Sequence, residues 1–304
     1  MKSFLNITDF SSDELQCILD RADYLHKCWH NNQMPQSLAK QRIALWFWGS
    51  GFRNRMAFEI GARAMGADIS YVPGELGVHE PLEDMGYYLK NWFTMLVIRA
   101  KKHEDLLEIT KQADIPVINA RTNFNHPCEI IGDLQFIRRK RKSLDGLNVV
   151  FVGELTNMCM SWFEAAVRLP ITVTQVAPKG FQLDPSRLSE LKKQAVGKIF
   201  VTDNMEDNIN KNTDLIYTDC WPRNQENEKI RELFYPYQIT SDVLKKLNEN
   251  AIFLPCPPVT RDEEVSEDAM KSSYCMNYEA KEFLLHSQNA IMEHLATEYN
   301  FFTR

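Results

Sequence analysis

Two arginines, Arg53 and Arg55, stand where an apolar segment gives way to a helical one. The apolar run Ile43–Phe47 precedes them, and the run Met56–Met65 has helical spacing after them. The start of a helix attracts anions, because its first N–H groups are unpaired and the helix dipole is positive there. A guanidinium group binds phosphate or carboxylate through two parallel hydrogen bonds. The sequence therefore predicts an anion site at Gly51–Arg55.

The composition limits the classes of protein that fit. The chain has 304 residues, 44% of them hydrophobic, and a net charge of -6, which argues against a nucleic-acid partner. No apolar stretch reaches the roughly 18 residues of a membrane helix, and the N-terminus lacks a signal core. The seven cysteines form no CxxC pair, which favours reduced thiols over disulfides or a zinc site. We expect a cytoplasmic protein with no metal and no cofactor.

Short apolar runs alternate with helix-like segments along the whole chain. This alternation is typical of parallel sheets joined by crossover helices. The predicted fold class is α/β, with two domains that are each a parallel sheet flanked by helices. The predicted strands are Ile43–Phe47, Ile69–Val72, Met95–Ile98, Pro116–Asn119, Val149–Val152, Ile171–Val176, Ile199–Val201, Leu215–Tyr217 and Ile252–Leu254.

The strands fall into two series, and this suggests the domain boundary. Ser11 and Glu14 form a capping-box pattern before the first helix. A long helical run, Ile130–Lys142, ends the first series, and the last run, Ala280–Tyr299, is long enough to return to the first domain. We therefore expect one domain at residues 1–143, completed by a helix at 284–304, and a second domain at 144–283.

Polar residues follow most of the predicted strands. In open α/β sheets, ligands bind beyond the carboxyl ends of the strands. In the first half, Arg99 and the segment Asn125–Glu129 occupy such positions. In the second half, the polar segments are Glu154–Asn157, Asp219–Gln225 and Pro255–Pro258. We expect an anionic substrate on the first domain and a second substrate in the cleft between the two.

These motifs, in this order, resemble those of the aspartate/ornithine carbamoyltransferase family, and most closely its ornithine branch. The segment Gly51–Glu59 (GFRNRMAFE) resembles the family's phosphate loop, and Asn125–Glu129 resembles its His-Pro-x-Gln motif. Gly153–Asn157 resembles the loop that contributes an asparagine, and Pro255–Pro258 resembles the His-Cys-Leu-Pro motif. The resemblance covers nearly the whole chain.

The resemblance implies an activity and a set of site residues. The amine of an amino-acid-like acceptor would attack the carbonyl carbon of carbamoyl phosphate, in a homotrimer that needs no cofactor. The implied catalytic residues are Arg53, His126 and Cys256. Carbamoyl phosphate would contact Gly51, Phe52, Arg53, Asn54, Arg55, Arg99, His126 and Glu129. The acceptor would contact Asn157, Asp219, Arg223, Gln225, Cys256 and Pro257. Glu75 and His79 would reach a neighbouring subunit's site.

On the donor side, the chain departs from the family pattern at several positions. Gly51, Phe52 and Asn54 replace a serine and two threonines, and Glu129 replaces a glutamine that faces the carbamoyl amino group. Two like charges at about 4 Å repel by about 4 kcal/mol at an effective dielectric constant of 20. We therefore expect Glu129 to alter donor specificity, unless Arg55 or another arginine neutralises it.

The acceptor side departs as well. Glu279–Phe283 replaces a segment that normally closes with an arginine, so we expect one cation on the oxyanion side to be lost. Trp221–Gln225 replaces the ornithine branch's Ser-Met-Gly loop. We therefore expect ornithine to be a poor acceptor. Two alternatives remain open: a non-catalytic paralogue that binds a metabolite or partner, and a lyase that acts on a ureido-type compound in the same cleft.

Overall fold

The computed structural model describes residues 2–222 and 228–302. The chain divides into two compact units: unit 1 is Met1–Phe136 with Lys281–Arg304, and unit 2 is Ile137–Ala280. The sequence prediction placed the first boundary at residues 143 and 144, and the division falls slightly earlier.

Unit 1 is built around a parallel sheet of four strands in the order β2-β1-β3-β4. The strands are β1 (Arg42–Phe47), β2 (Asp68–Pro73), β3 (Met95–Arg99) and β4 (Val117–Arg121). The first helices of the chain are α1 (Ser12–His30), α2 (Phe52–Ala64), α3 (Leu82–Trp92), α4 (His103–Ala113) and α5 (Pro127–Arg141). The residues of β3 and β4 are almost all buried, as expected for strands covered on both faces.

Unit 2 is built around a second parallel sheet, with five strands in the order β7-β6-β5-β8-β9. Its strands are β5 (Asn148–Val152), β6 (Thr172–Val176), β7 (Lys198–Thr202), β8 (Leu215–Thr218) and β9 (Ile252–Pro255). The next helices are α6 (Asn157–Arg168), α7 (Pro185–Gln194), α8 (Met205–Asn208), α9 (Glu228–Phe234), α10 (Ser241–Leu244), α11 (Glu267–Met270) and α12 (Asn277–Ala280). The prediction of two parallel sheets flanked by helices is confirmed.

The last helix, α13 (Phe283–Phe302), belongs to unit 1 and packs against α1 and α2. Arg21 of α1 donates two hydrogen bonds to Glu293, at 2.5 and 2.7 Å. Gly61 of α2 lies so close to α13 that a Cβ atom there would stand 2.5 Å from the Asn289 side chain. At this point, the backbone of α2 therefore packs directly against a side chain of α13.

Three helices begin away from their predicted positions. The helix after β1 begins at Phe52 rather than Met56, so Arg53 and Arg55 lie in its first turn. The helix after β4 begins at Pro127, because proline's fixed φ suits the first turn and its missing N–H costs nothing there. The last helix begins at Phe283, three residues after the predicted start at Ala280. The capping box of α1 forms as predicted, with Glu14 N–H donating to the Ser11 hydroxyl at 3.2 Å.

Each sheet has one point where the strand order reverses. In unit 1 this is between β1 and β3, and in unit 2 it is between β5 and β8. The connections on either side of such a point leave in opposite directions, and this opens a crevice beyond the carboxyl ends of the strands. The strand order therefore predicts one ligand-binding position in each unit.

Among the helices that the structure describes, none has both the length and the apolarity needed to cross a lipid bilayer.

Candidate functional site

The loop after β1 brings the backbone of Gly51 against the side chain of Arg99. Gly51 precedes the first residue of α2 and has φ of +37°, a left-handed conformation that favours glycine. A Cβ atom at Gly51 would lie 2.9 Å from Cδ and 3.0 Å from Nε of Arg99. A serine at this position would therefore displace Arg99. The replacement of the family's serine by Gly51 fits this close approach.

The first turn of α2 carries the two arginines of the predicted anion site. The guanidinium of Arg53 lies 5.0 Å from the ring of Phe52, a side chain that is 58% exposed. The guanidinium of Arg55 lies 4.3 Å from the ring of Tyr71, the fourth residue of β2. Arg53 thus lies beside the loop after β1, whereas Arg55 stacks on the edge strand of the sheet.

The side chain of Asn54 forms hydrogen bonds inside unit 1. Its Nδ2 donates to the carbonyl oxygen of Ala120 at 2.9 Å, and its Oδ1 accepts from Nε2 of Gln288 at 3.2 Å. These bonds tie α2 to β4 and α13. A contact of Asn54 with an anion would therefore be made by its backbone, and this contact remains a prediction.

His126 is a buried, neutral imidazole that lies between Asn54 and Glu129. Burial lowers the pKa of His126 to about 3, although the charge of Glu129 opposes this shift. The Nε2 atom of His126 lies 3.4 Å from Nδ2 of Asn54, and an amide NH2 can only donate. Nε2 also lies 3.7 Å from Oε2 of Glu129, and a carboxylate can only accept. In either tautomer, a neutral imidazole carries one N–H. At neutral pH, His126 can therefore donate one N–H to a carbonyl oxygen.

Glu129 is paired with a lysine. Nζ of Lys281 lies 2.7 Å from Oε1 of Glu129 and 3.0 Å from Oδ1 of Asp133, and all three side chains are largely buried. Burial raises the pKa of Glu129, but the attraction and hydrogen bond of Lys281, together with the charge of Arg53, outweigh it, so the pKa lies below its ordinary value. Glu129 is thus an ionised carboxylate whose charge is matched by an ammonium group.

Lys281 and Arg121 are candidate site residues that the sequence analysis did not include. Lys281 lies in the segment that, in the family pattern, ends with an arginine. The presence of a cation in this segment was the feature of the sequence that could have identified it. Arg121 ends β4, and its charge and that of Arg99 contribute to the low pKa of His126. The cations Arg53, Arg99 and Arg121 therefore lie near the ends of β1, β3 and β4, around His126.

In unit 2, the predicted acceptor residues follow three neighbouring strands. Asn157 is the buried first residue of α6, after β5. Asp219 follows β8, and its Oδ1 accepts from the N–H of Cys220 at 2.8 Å. Cys256 follows β9, where its N–H donates to the carbonyl oxygen of Thr218 at 2.8 Å, and Pro257 comes next. These residues follow the carboxyl ends of their strands, close to the point where the strand order of the sheet reverses.

Some predicted residues lie elsewhere or outside the described part of the chain. Arg223 and Gln225 fall in the stretch 223–227, which is outside the described residues. Oε1 of Glu75 lies 3.8 Å from Nζ of Lys101, and His79 is exposed in the segment between β2 and α3. The role of Glu75 and His79 at a neighbouring subunit remains a prediction.

Glu154 is a titratable group that the sequence analysis left out of the acceptor set. It follows β5, and burial together with the negative charge of Asp219 raises its pKa to about 7. A carboxyl group with a pKa near neutrality can accept and release a proton under ordinary conditions. The position of Glu154 after a strand was its only sequence signal.

The raised pKa of Glu154 makes a testable prediction about stability. In the folded chain its pKa is about 7 instead of 4.5, so its protonated form stabilises the fold below pH 4.5 and this contribution is lost as pH rises to 7. The difference in free energy of unfolding between the Glu154→Gln variant and the wild type should therefore be about 1–2 kcal/mol more favourable to the variant at pH 8 than at pH 4. This is less than the full pKa shift implies, because solvent reaches the side chain.

Urea unfolding at the two pH values measures this difference. Glu249→Gln, at an exposed carboxylate of unit 2, is the matched control and should show the same small effect at both. An effect of Glu154→Gln that does not change between pH 4 and pH 8 would contradict the prediction.

The two halves of the chain match two halves of one family. The sequence model described as aspartate/ornithine carbamoyltransferase, carbamoyl-P binding domain, matches residues 2–139. The model described as aspartate/ornithine carbamoyltransferase, Asp/Orn binding domain, matches residues 145–295.

Individual relatives agree with this match along their whole length. The chain is 31% identical over 302 residues to an ornithine carbamoyltransferase of Psychrobacter arcticus, covering 97% of this chain and 96% of the relative. It is 31% identical over 307 residues to one of Methanosphaera stadtmanae, covering 98% and 100%. The solved structure of ornithine carbamoyltransferase from Pyrococcus furiosus superposes with a TM-score of 0.91 at 26% identity, covering 96% of each chain. The chain therefore belongs to the aspartate/ornithine carbamoyltransferase family of transferase enzymes.

Proposed function

We propose that this enzyme transfers the carbamoyl group of carbamoyl phosphate to the amine of an amino-acid-like acceptor. The observation that carries the proposal is the arrangement at the carboxyl ends of β1, β3 and β4. Cations surround a neutral histidine there, and the one carboxylate next to that histidine is already paired with Lys281. Family membership favours this transferase over the non-catalytic paralogue and the lyase weighed from the sequence.

The donor would bind with its phosphate at the start of α2. Arg53 and Arg99 would hold the phosphate oxygens, together with N–H groups of the helix start. The neutral His126 would donate its N–H to the carbonyl oxygen, which becomes negative when the amine attacks. The negative charge that moves onto the phosphate as the C–O bond breaks would be stabilised by the same arginines.

The acceptor would bind at the ends of β5, β8 and β9. An amine attacks only in its neutral form, so the ammonium group must lose a proton before the C–N bond forms. Glu154, with its pKa of about 7, would take that proton, while Asp219 beside it would hold the ammonium group before the transfer. The products would then be a carbamoylated amine and phosphate.

Ornithine is the first acceptor to test. Because the acceptor loop differs from that of the ornithine branch, the sequence led us to expect ornithine to be a poor acceptor. The relatives that match the whole chain, however, carry the name ornithine carbamoyltransferase, so the comparisons do not support that expectation. Other amino acids with a second amine are the next candidates.

The function is tested by the wild type and an arginine variant. We expect the wild type to form a carbamoylated product from carbamoyl phosphate and ornithine or a related amino acid. Arg53→Ala should lower kcat/KM for carbamoyl phosphate by about 10²–10³, the usual cost of losing a group that stabilises transition-state charge. It should also abolish the rise in melting temperature that phosphate produces.

Arg63→Ala is the matched control, because Arg63 is in the same helix but in its last turn. It should leave both measurements close to those of the wild type. If Arg53→Ala keeps the stabilisation by phosphate, the proposed donor site is wrong. If the wild type turns over no amine, the transferase activity itself is wrong.

We also propose that the chain forms a homotrimer through the β2 and α3 side of unit 1. Several large apolar side chains are exposed on this side, where β2 is an edge strand with one unpaired side. They are Tyr71, Val78, Tyr87, Tyr88 and Trp92. An exposed apolar patch of this kind is typical of a protein–protein interface. Glu75 and His79 lie beside it, so each subunit would bring them to its neighbour's site.

Sedimentation measurements test this assembly. The wild type should have the mass of three chains, and Trp92→Glu should sediment as one chain, because a buried charge at an interface is costly. Phe200→Glu, at an exposed aromatic residue of unit 2, is the matched control and should remain a trimer. A wild type of one chain, or a trimer that survives Trp92→Glu, would refute the proposed interface.

A further inference from the structure

Three histidines surround one carboxylate oxygen where α1 ends and α13 begins. His26 and His30 are four residues apart, so they lie on one face of α1. Oε1 of Glu282 lies 3.5 Å from Nε2 of His26, 2.7 Å from Nε2 of His30 and 3.4 Å from Nε2 of His286. All four residues belong to unit 1, and none of them is part of the donor site.

The spacing of three of these groups is close to that of a metal site. The ligating atoms of His26, His30 and Glu282 all lie within 4.8 Å of one another. In a tetrahedral zinc site with bonds of about 2.0–2.1 Å, neighbouring ligand atoms are about 3.3 Å apart. The His26–Glu282 separation of 3.5 Å nearly matches this edge. Small rotations of the exposed His30 side chain would bring the remaining distances to it.

The surroundings hold the ligands in place. The ring of His26 stacks on the ring of Phe283, with centroids 5.1 Å apart and planes 11° apart, which fixes the direction of its nitrogen atoms. His286 is fully buried, and its Nε2 faces the Glu282 carboxylate at 3.4 Å. A histidine that donates to a ligating carboxylate orients that carboxylate. Glu282 and His30 are partly exposed to solvent, so an ion can reach the site.

We propose that His26, His30 and Glu282 bind a divalent transition-metal ion of the Zn²⁺ class, with His286 orienting the carboxylate. Two imidazoles and one carboxylate suit Zn²⁺, Co²⁺ or Ni²⁺, whereas Mg²⁺ and Ca²⁺ prefer oxygen ligands alone. With three protein ligands, the fourth position of the ion would be filled by water. Because the ligands come from α1 and from the start of α13, the ion would tie the C-terminal helix to the N-terminal one.

The test uses the full chain after treatment with a chelator. Calorimetric titration with Zn²⁺ should show one ion per chain, and Zn²⁺ should raise the melting temperature while Mg²⁺ should not. With Co²⁺, the visible absorption of a tetrahedral nitrogen and oxygen site should appear. These readouts do not depend on carbamoyl transfer, so their failure is separate from a failure of the proposed function.

Variants locate the ion. His30→Gln and Glu282→Gln should each weaken Zn²⁺ binding by tenfold or more, and His30 is exposed enough for its replacement to leave the fold intact. His294→Gln is the matched control, because His294 is on α13 and lies 3.7 Å from another carboxylate, that of Glu14. It should bind Zn²⁺ like the wild type.

Three outcomes would overturn the proposal. The first is no Zn²⁺ binding to the wild type at micromolar concentrations. The second is unchanged binding by both His30→Gln and Glu282→Gln. The third is a Co²⁺ spectrum with thiolate charge-transfer bands, which would assign the ion to cysteine ligands instead.

Discussion

The ammonium group of Lys281, held between the carboxylates of Glu129 and Asp133, is the interaction on which the proposed donor site depends. Two buried negative charges beside a phosphate would repel it, and a buried charge without a partner costs several kcal/mol. Lys281 offsets one of these charges and bridges both carboxylates. The arginines around His126 are therefore left to act on a ligand, because their field is not cancelled by Glu129.

This interaction also gives the C-terminal segment its place in the fold. Lys281 stands two residues before α13, and it reaches α5 over a separation of 152 positions in the chain. The segment must return to unit 1 for the pair to form. Contacts of α13 with α1 and α2, such as the Arg21–Glu293 hydrogen bonds, hold it there. Packing at the far end of the helix and charge pairing at its start thus support the same arrangement.

Local patterns in the sequence were enough to predict most of the fold. Each apolar run became a strand of a parallel sheet. The buried strands, such as β3, β4 and β5, are largely apolar stretches because both of their faces are covered, whereas the edge strands β2 and β7 are more exposed. The capping box of Ser11 and Glu14 is also a local pattern, since it involves only neighbouring turns. The start of α2 was placed too late, because Gly51 in a left-handed conformation allows the helix to begin at once.

Long-range pairings could not be read in this way. Glu129 was recognised as a charge next to a predicted phosphate site, but nothing in the sequence showed that its partner is Lys281, 152 positions further along the chain. The ligands His26 and Glu282 are separated in the same manner, so their spacing in the sequence does not resemble a metal motif. The side chain of Asn54, which the sequence analysis took for a ligand-binding residue, is hydrogen-bonded to β4 and α13 instead. Tertiary packing decides each of these features.

The most direct test of the account measures carbamoyl phosphate affinity after Lys281 is removed. Lys281→Met should weaken binding by about tenfold or more, equivalent to about 1.4 kcal/mol, because Glu129 would then face the phosphate unpaired. Adding Glu129→Gln to this variant should restore most of the affinity, and this rescue separates the charge effect from a general loss of folding. Carbamoyl phosphate binding by Lys281→Met at the wild-type level, or a double variant no better than the single one, would contradict the account.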